Sequence, residues 1–440
     1  MSSVFQIQKK LGWPAVVWFG VLMPTLLWSL TNPVGLGGSA WQFVDAMGRL
    51  LGIWGTCLYA INLILSTRWR WTEGLFGGLN RVYIAHHLIG GLAFIALLFH
   101  PLFLAIRRLE DSLIYATRLL IPGNKFATDL GFIALGGLIF LLIMTYYIKP
   151  PYNIWKFTHK FLGVFFGIAA LHIFLAQSTD IESNILLKLY SLILVLGGLF
   201  AYLYRVLLPQ IFVRTFQYKL VDIESPTHDI IEMTFEPVNQ LMNFKVGQFV
   251  YVRFTNSPFI SRESHPFSII SSPRDGKIVV AAKKLGDYTA SLDDLRVGLD
   301  VEIEGAFGGF TYSNYQTKHQ VWIAGGIGIT PFISMAKQVV EKGAYKVDLY
   351  YSCKEEGEFA YLDALRQVSS RGDHNFRVVK WIAGDTNFLT ADAIEEGTKY
   401  FKDAEFFLCG PPPMMRSLKK QLRNKGIRGS RIHTEEFSVL

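Results

Sequence analysis

Residues 81–101 read RVYIAHHLIGGLAFIALLFHP, and this stretch decides what half of the chain is. It is apolar and long enough to cross a hydrocarbon core of about 30 Å, which takes roughly 20 helical residues. It also carries His86, His87 and His100, and ionisable groups within a bilayer are costly and usually functional. His86 and His100 are 14 positions apart. That is close to four turns, so they share a helix face at levels about 21 Å apart. A second apolar stretch, FTHKFLGVFFGIAALHIFL at residues 157–175, carries His159 and His172. A straight helix rotates this second pair by about 140°, so the spacing predicts an irregularity near Gly163 or Gly167. If both helices run the same way, His86 meets His159 at the inner level and His100 meets His172 at the outer one. Each pair then supplies both axial nitrogens of a haem iron. Histidines that merely pack helices are the alternative, and His87 competes with His86 for the inner level.

Outward from these two stretches, six apolar segments are expected near 12–30, 43–66, 82–106, 128–148, 157–177 and 185–208. Trp13, Trp28, Trp41, Trp69, Trp71 and Trp155 fall at or near their ends, as an aromatic belt requires. Residues 1–210 carry 15 Lys+Arg against 7 Asp+Glu, while the remainder carries 28 of each. The whole basic excess therefore lies beside apolar segments, where it orients helices and meets anionic headgroups; nucleic acid is a poor explanation. Lys9, Lys10, Arg68, Arg70, Arg81, Lys149, Lys156, Arg205 and Arg214 mark alternate loops as cytoplasmic, which puts both termini inside. The loop between helices 3 and 4, with Arg107, Arg108, Arg118 and Lys125, runs against that pattern. No cleaved signal is expected, because the apolar stretch after Lys10 is long enough to span. Arg49 and Arg68 bracket helix 2. Arg68 suits a haem propionate or an interfacial anchor, and Arg49 a propionate or another buried anion. Cys57, Cys353 and Cys409 have neither disulfide nor metal-site spacing.

From about residue 213 the pattern changes to short alternating strands, at Phe216–Ile223, Ile230–Glu236, Phe249–Phe254 and Ile278–Lys284, which predicts an antiparallel barrel. His265-Pro266-Phe267-Ser268 lies on a barrel strand, where an aromatic can stack on a flavin and a hydroxyl can reach its N5 edge. Lys283, Gly286 and Thr289 belong to a cationic turn leading into a short helix, suited to a pyrophosphate. Gly305-Ala306-Phe307-Gly308-Gly309-Phe310 is a glycine-rich turn that lets backbone approach a cofactor. From about residue 319 strands alternate with helices, a parallel α/β arrangement of nucleotide-binding type. There Gly325, Gly326, Gly328, Thr330 and Pro331 follow a strand and open a helix, admitting a dinucleotide pyrophosphate. Cys409-Gly410 ends another strand and suits a place near the nicotinamide, or a plain buried cysteine before a turn. Ser352 and Lys354 suit a ribose 2′-phosphate, though Glu355, Glu356 and Glu358 follow them. The coenzyme expected is NADPH, with NADH the alternative.

These residues resemble the ferric reductase and NADPH oxidase superfamily along nearly the whole chain. The matching motifs are His86 to Gly90, His265 to Ser268, Gly325 to Pro331, Cys409 to Pro411 and Glu435-Glu436-Phe437. Three positions depart from the family pattern: His87 for Arg, Ala306 for Pro, and Ser438-Val439-Leu440 beyond the terminal aromatic. The resemblance implies a six-helix transmembrane dihaem domain over 1–210, an FAD barrel over 213–316 and an NAD(P)H-binding α/β domain over 317–440. It also implies that Phe437 covers the flavin until nicotinamide displaces it. The expected function is electron transfer from cytosolic NAD(P)H through FAD and two b-type haems, held by His86, His100, His159 and His172, to oxygen or ferric iron outside. A haem- or metal-binding membrane sensor or transporter is the alternative.

Overall fold

The computed structural model describes residues 11–33, 35–123, 125–176, 179–371, 375–384 and 386–435, which form two compact units, 3–213 and 214–440. The first holds six helices long and apolar enough to cross a membrane: α1 Gly12–Ser29, α2 Ala40–Leu65, α3 Leu79–Arg108, α4 Phe126–Ile148, α5 Tyr152–Leu175 and α6 Ile185–Leu207. The chain is a multi-pass membrane protein. Its aliphatic side chains largely point outward, from Leu88 and Leu92 on α3 to Ile193 and Leu196 on α6, as hydrocarbon permits.

Helix α2 starts at a capping box, in which Ser39 accepts from Gln42 N–H and Gln42 accepts from Ser39 N–H. Its packing on α3 depends on small residues. A Cβ at Gly48, Gly52 or Gly55 would come within 2.9, 2.7 and 2.6 Å of Leu104, His100 and Leu97 respectively. Such a seam lets two backbones approach where no water-driven force holds helices together. The irregularity expected near Gly163 or Gly167 in α5 falls just before Gly163. The helical segments Tyr152–His159 and Leu162–Leu175 are separated at Lys160 and Phe161, directly after the first histidine. Gly163 instead makes room for the Tyr202 ring.

In the second unit, β1 (Phe216–Thr227), β2 (Ile230–Pro237), β3 (Phe249–Phe254), β4 (His265–Ser268), β5 (Ile278–Lys283) and β6 (Asp300–Phe307) form an antiparallel sheet in the order β4-β3-β6-β1-β2-β5. A bridge between Ile269 and Val280 brings its two ends together, closing the curvature around Val250, Val252, Phe254, Phe267, Val280 and Ile303. The other sheet is parallel, in the order β11-β10-β7-β8-β9: β7 His319–Gly325, β8 Lys346–Cys353, β9 Phe376–Ile382, β10 Glu405–Cys409 and β11 Ile432–Glu435. Helices α7 (Thr330–Lys342), α8 (Leu362–Ser370), α9 (Ala391–Gly397) and α10 (Pro412–Asn424) lie between these strands in sequence. The boundary expected at 316/317 falls inside one unit. Val246, Ile270 and Phe310 from the barrel side share a core with Trp322, Phe332 and Phe407 from the parallel sheet, so the two sheets pack as one body.

Candidate functional site

The membrane unit brings its histidines together in the predicted pairs. The His86 and His159 rings lie 6.3 Å apart between centroids, edge to face, and His100 is close enough to His172 to interact electrostatically. His87 turns to Tyr146 instead, with centroids 5.7 Å apart. The hydrogen bonds decide which ring nitrogen is available. Nδ1 donates to Asn62 O from His86 (3.0 Å), to Gly48 O from His100 (2.7 Å) and to Ala127 O from His172 (2.7 Å). A carbonyl only accepts, so Nδ1 carries the proton and Nε2 keeps the lone pair that binds metal. His159 departs from this pattern. Its Nδ1 is buried without a partner, and its ring lies tilted against Trp155 with centroids 5.0 Å apart.

Glycines seat two of the rings. A Cβ on Gly52 would lie 2.7 Å from His100 Nδ1, and one on Gly131 would lie 3.0 Å from His172 Cε1. Among the described residues no three His, Cys, Asp or Glu cluster as a bare ion needs. The donors come as two pairs of imidazoles, three of the four with Nε2 kept available, which fits porphyrin-held iron.

The two bracketing arginines find protein partners. Arg49 pairs with Asp45 and, at 3.2 Å, with the buried Asp180, so the anion expected beside it is a carboxylate of this chain. Arg68, at a positive φ of 59°, donates to Tyr83 Oη at 2.7 Å.

In the barrel, the His265 ring stacks on Tyr288 at 3.5 Å, joining the two segments expected to hold flavin, and Glu263 lies 3.4 Å from its Nε2. Pro266 is exposed, but Phe267 packs into the barrel core and Ser268 is 5% exposed. Alternation along β4 sends Phe267 inward, so it is not the open aromatic expected. Lys283 is engaged too: Asp229 lies 2.9 Å and Glu358 3.8 Å from its Nζ. Burial lowers the Lys283 pKa, but the hydrogen bond and charge of Asp229 outweigh this and leave it raised. Thr289 Oγ1 accepts from Leu285 N–H (2.9 Å) and Gly286 N–H (3.0 Å), taking up the donors expected to meet a pyrophosphate.

In the parallel sheet, β8 and β9 lie on one side of β7, and β10 and β11 on the other. The crevice between the ends of β7 and β10 is thus a topological switch point, where such sheets bind ligands. Two of the three glycines there serve packing. Gly325 abuts Pro411 and Met414, Gly328 abuts the Cys409 carbonyl, and Gly410 sits 3.0 Å from Gly325 through a would-be Cβ. Gly326, at φ +52°, has open space around its Cβ position. Thr330 Oγ1 donates to Ile327 O at 3.0 Å, and Pro331 occupies the first turn of α7. Cys409 is fully buried, and burial pushes its thiol well above the ordinary range. Ser352 is only 7% exposed, whereas Lys354 beside it is exposed. Phe437 lies outside the described residues.

Sequence reasoning missed the fixed tautomers, because the carbonyl partners are 24, 52 and 45 positions away. It also missed Asp180, which no local signal distinguishes from an ordinary loop acid.

Profiles of three known domains match the chain: the ferric reductase-like transmembrane component over residues 51–170, an FAD-binding domain over 215–325 and an oxidoreductase NAD-binding domain over 322–420. The chain has the architecture of a ferric reductase/NADPH oxidase-type flavocytochrome. It is 28% identical over 203 residues to the ferredoxin reductase component of 3-ketosteroid-9-alpha-monooxygenase from Mycolicibacterium smegmatis, covering 45% of this chain and 57% of that protein. It is 27% identical over 240 residues to a flavohemoprotein from Rhizobium meliloti, covering 50% and 59% respectively. The chain therefore spans little more than half the length of these relatives. In fold it is similar to the flavohemoglobin from Malassezia yamatoensis, with a TM-score of 0.50 and 17% identity over 94% of this chain and 98% of that one. Of the paired histidines, His86, His100 and His159 fall within the matched membrane component and His172 just beyond it, and the switch-point crevice falls in the NAD-binding domain.

Proposed function

We propose that this flavocytochrome carries electrons from NADH or NADPH through FAD and two b-type haems to a one-electron acceptor, oxygen or ferric iron, across the membrane. Its termini and the unit 214–440 would lie on the cytoplasmic side. The observation that carries this reading is the pair of histidine levels, with Nδ1 tied to backbone carbonyls at three of the four rings. Flavin converts a two-electron hydride donor to single electrons, and haem relays those between two depths of the bilayer.

The chain's own residues hold and orient these groups. His86 with His159, and His100 with His172, would supply axial nitrogens, leaving the acceptor to react without binding iron. Gly326 would admit the coenzyme at the crevice. His265, Pro266 and Tyr288 would border the flavin, with Lys283 recruited to its phosphates by exchange from Asp229. Phe437 would cover the flavin face until nicotinamide arrives.

The test is spectroscopic. Purified protein should show two haems per chain by pyridine haemochrome, and NADH or NADPH alone should reduce them anaerobically. Comparing superoxide formation with ferric-chelate reduction then identifies the acceptor. Haem that dithionite reduces but neither coenzyme does would favour a non-catalytic haem sensor instead.

A further inference from the structure

Three of the four paired imidazoles are fastened in the same way, each to a backbone carbonyl of a neighbouring helix. The acceptors are Asn62 O and Gly48 O on α2 for His86 and His100, and Ala127 O on α4 for His172. Such a bond fixes the tautomer and the rotation of the ring, and strengthens it as a donor to metal. His159 has no counterpart. Among the described residues nothing bonds its Nδ1, although that atom is buried.

What meets the His159 ring instead is aromatic. Trp155 lies four positions earlier on the helical segment Tyr152–His159, one turn away on the same face. The two ring centroids are 5.0 Å apart and the planes 33° from parallel. Trp155 is in turn met by Tyr152, at 5.6 Å and 35°, and Lys156 Nζ lies 5.4 Å over the Tyr152 ring. The segment ends on His159, because α5 breaks at Lys160 and Phe161. His86, the partner across the pair, meets the ring edge to face at 6.3 Å. A ring face restrains the plane of an imidazole, as a hydrogen bond does, but accepts nothing from its nitrogen.

We propose that Trp155 is the positioning residue of the His86–His159 level: its ring holds the His159 imidazole where a backbone carbonyl holds the other three. His159 is then the one ligand whose second nitrogen goes unbonded. This rests on the reading that the four histidines hold two haems.

The first test uses the full-length protein in detergent with its haem. In Trp155→Ala one haem of the two should lose its low-spin spectrum, while the other keeps it. Trp155→Phe, which retains a ring face, should restore the first. Two unchanged low-spin haems in Trp155→Ala overturn the inference, and so does loss of both haems together, which marks a merely structural role. The second test leaves Trp155 in place and compares His159→Gly with His172→Gly. Added imidazole and 1-methylimidazole should each refill the axial position, read as return of the low-spin spectrum. At His172 an added ring N–H finds Ala127 O, and 1-methylimidazole has no N–H to offer it. The preference for imidazole should therefore be roughly two- to tenfold larger in His172→Gly than in His159→Gly, the worth of one hydrogen bond. Equal preferences at the two positions overturn the inference. Unmodified protein without haem sinks the proposed function and this inference together, whereas two low-spin haems indifferent to Trp155→Ala sink the inference alone.

Discussion

The two units prepare their candidate sites in opposite ways. In the membrane unit, His86, His100 and His172 spend one ring nitrogen on a backbone carbonyl and leave the other open. In the unit 214–440, the groups expected to meet cofactors are largely satisfied by one another: Lys283 by Asp229 and Glu358, Gly286 N–H by Thr289, Lys354 N–H by Glu358. The difference follows from the solvent. Within hydrocarbon there is no water to satisfy a polar group, so these three imidazoles are held by backbone acceptors. In the water-exposed unit, cations and backbone donors are instead paired with carboxylates and hydroxyls of the chain itself.

The sharpest way to break this comparison is to attack the fixed imidazoles. His100→Ala or His172→Ala should halve haem content, from two per chain to one. Gly52→Val should do the same without touching a ligand, because even a Cβ there lies 2.7 Å from His100 Nδ1. Full haem content in Gly52→Val would show that the His100 seat is soft. Next in size is Lys354→Ala, which should raise the KM for NADPH about ten- to a hundredfold, from the loss of a contact worth about 1.5–3 kcal/mol, and barely move that for NADH. Equal effects on both coenzymes would remove Lys354 from the ribose end.

A smaller change is expected from Phe437→Ala. If Phe437 covers the flavin, this variant should bind nicotinamide several-fold more tightly or alter the rate of hydride transfer, with haem content and Tm nearly unchanged. A core Phe would instead cost about 3–5 kcal/mol of stability. The smallest response should come from the thiols. Burial pushes the Cys353 thiol up to about 11, so at pH 7 to 8 it stays protonated, and thiolate rises only as pH approaches that value. Maleimide should therefore label Cys353 and Cys409 slowly in the folded protein and quickly after denaturation. Fast native labelling would mean that the end of β8 or β10 opens readily.

Much of this architecture is local and hence legible in the chain itself. Apolar runs of about 20 residues, the 14-residue histidine spacing on α3, and the change at about residue 213 to period-two strands each follow from helix or strand geometry within one segment. So do the glycine-rich turn after β7 and the place of the strands, whose observed limits differ from the expected ones by a few residues. The 13-residue spacing on α5 announced a break, and the folded chain places it at Lys160–Phe161, while Gly163 accommodates Tyr202.

Partner choice was not legible, because it depends on residues brought together across long separations. Asp180 reaches Arg49 over 131 positions, Ala127 reaches His172 over 45, and the Gly328 backbone meets Cys409 only because β7 and β10 are neighbours. The sequence alone determined which residue types lie at which depth or strand end, since that depends on periodicity and hydropathy. Only the tertiary structure decided which nitrogen of His86, His100 and His172 is open, which glycines are used up in packing, and which charges are already paired. Hydrogen bonds and ion pairs act over a few ångströms, and folding, not chain order, sets those distances.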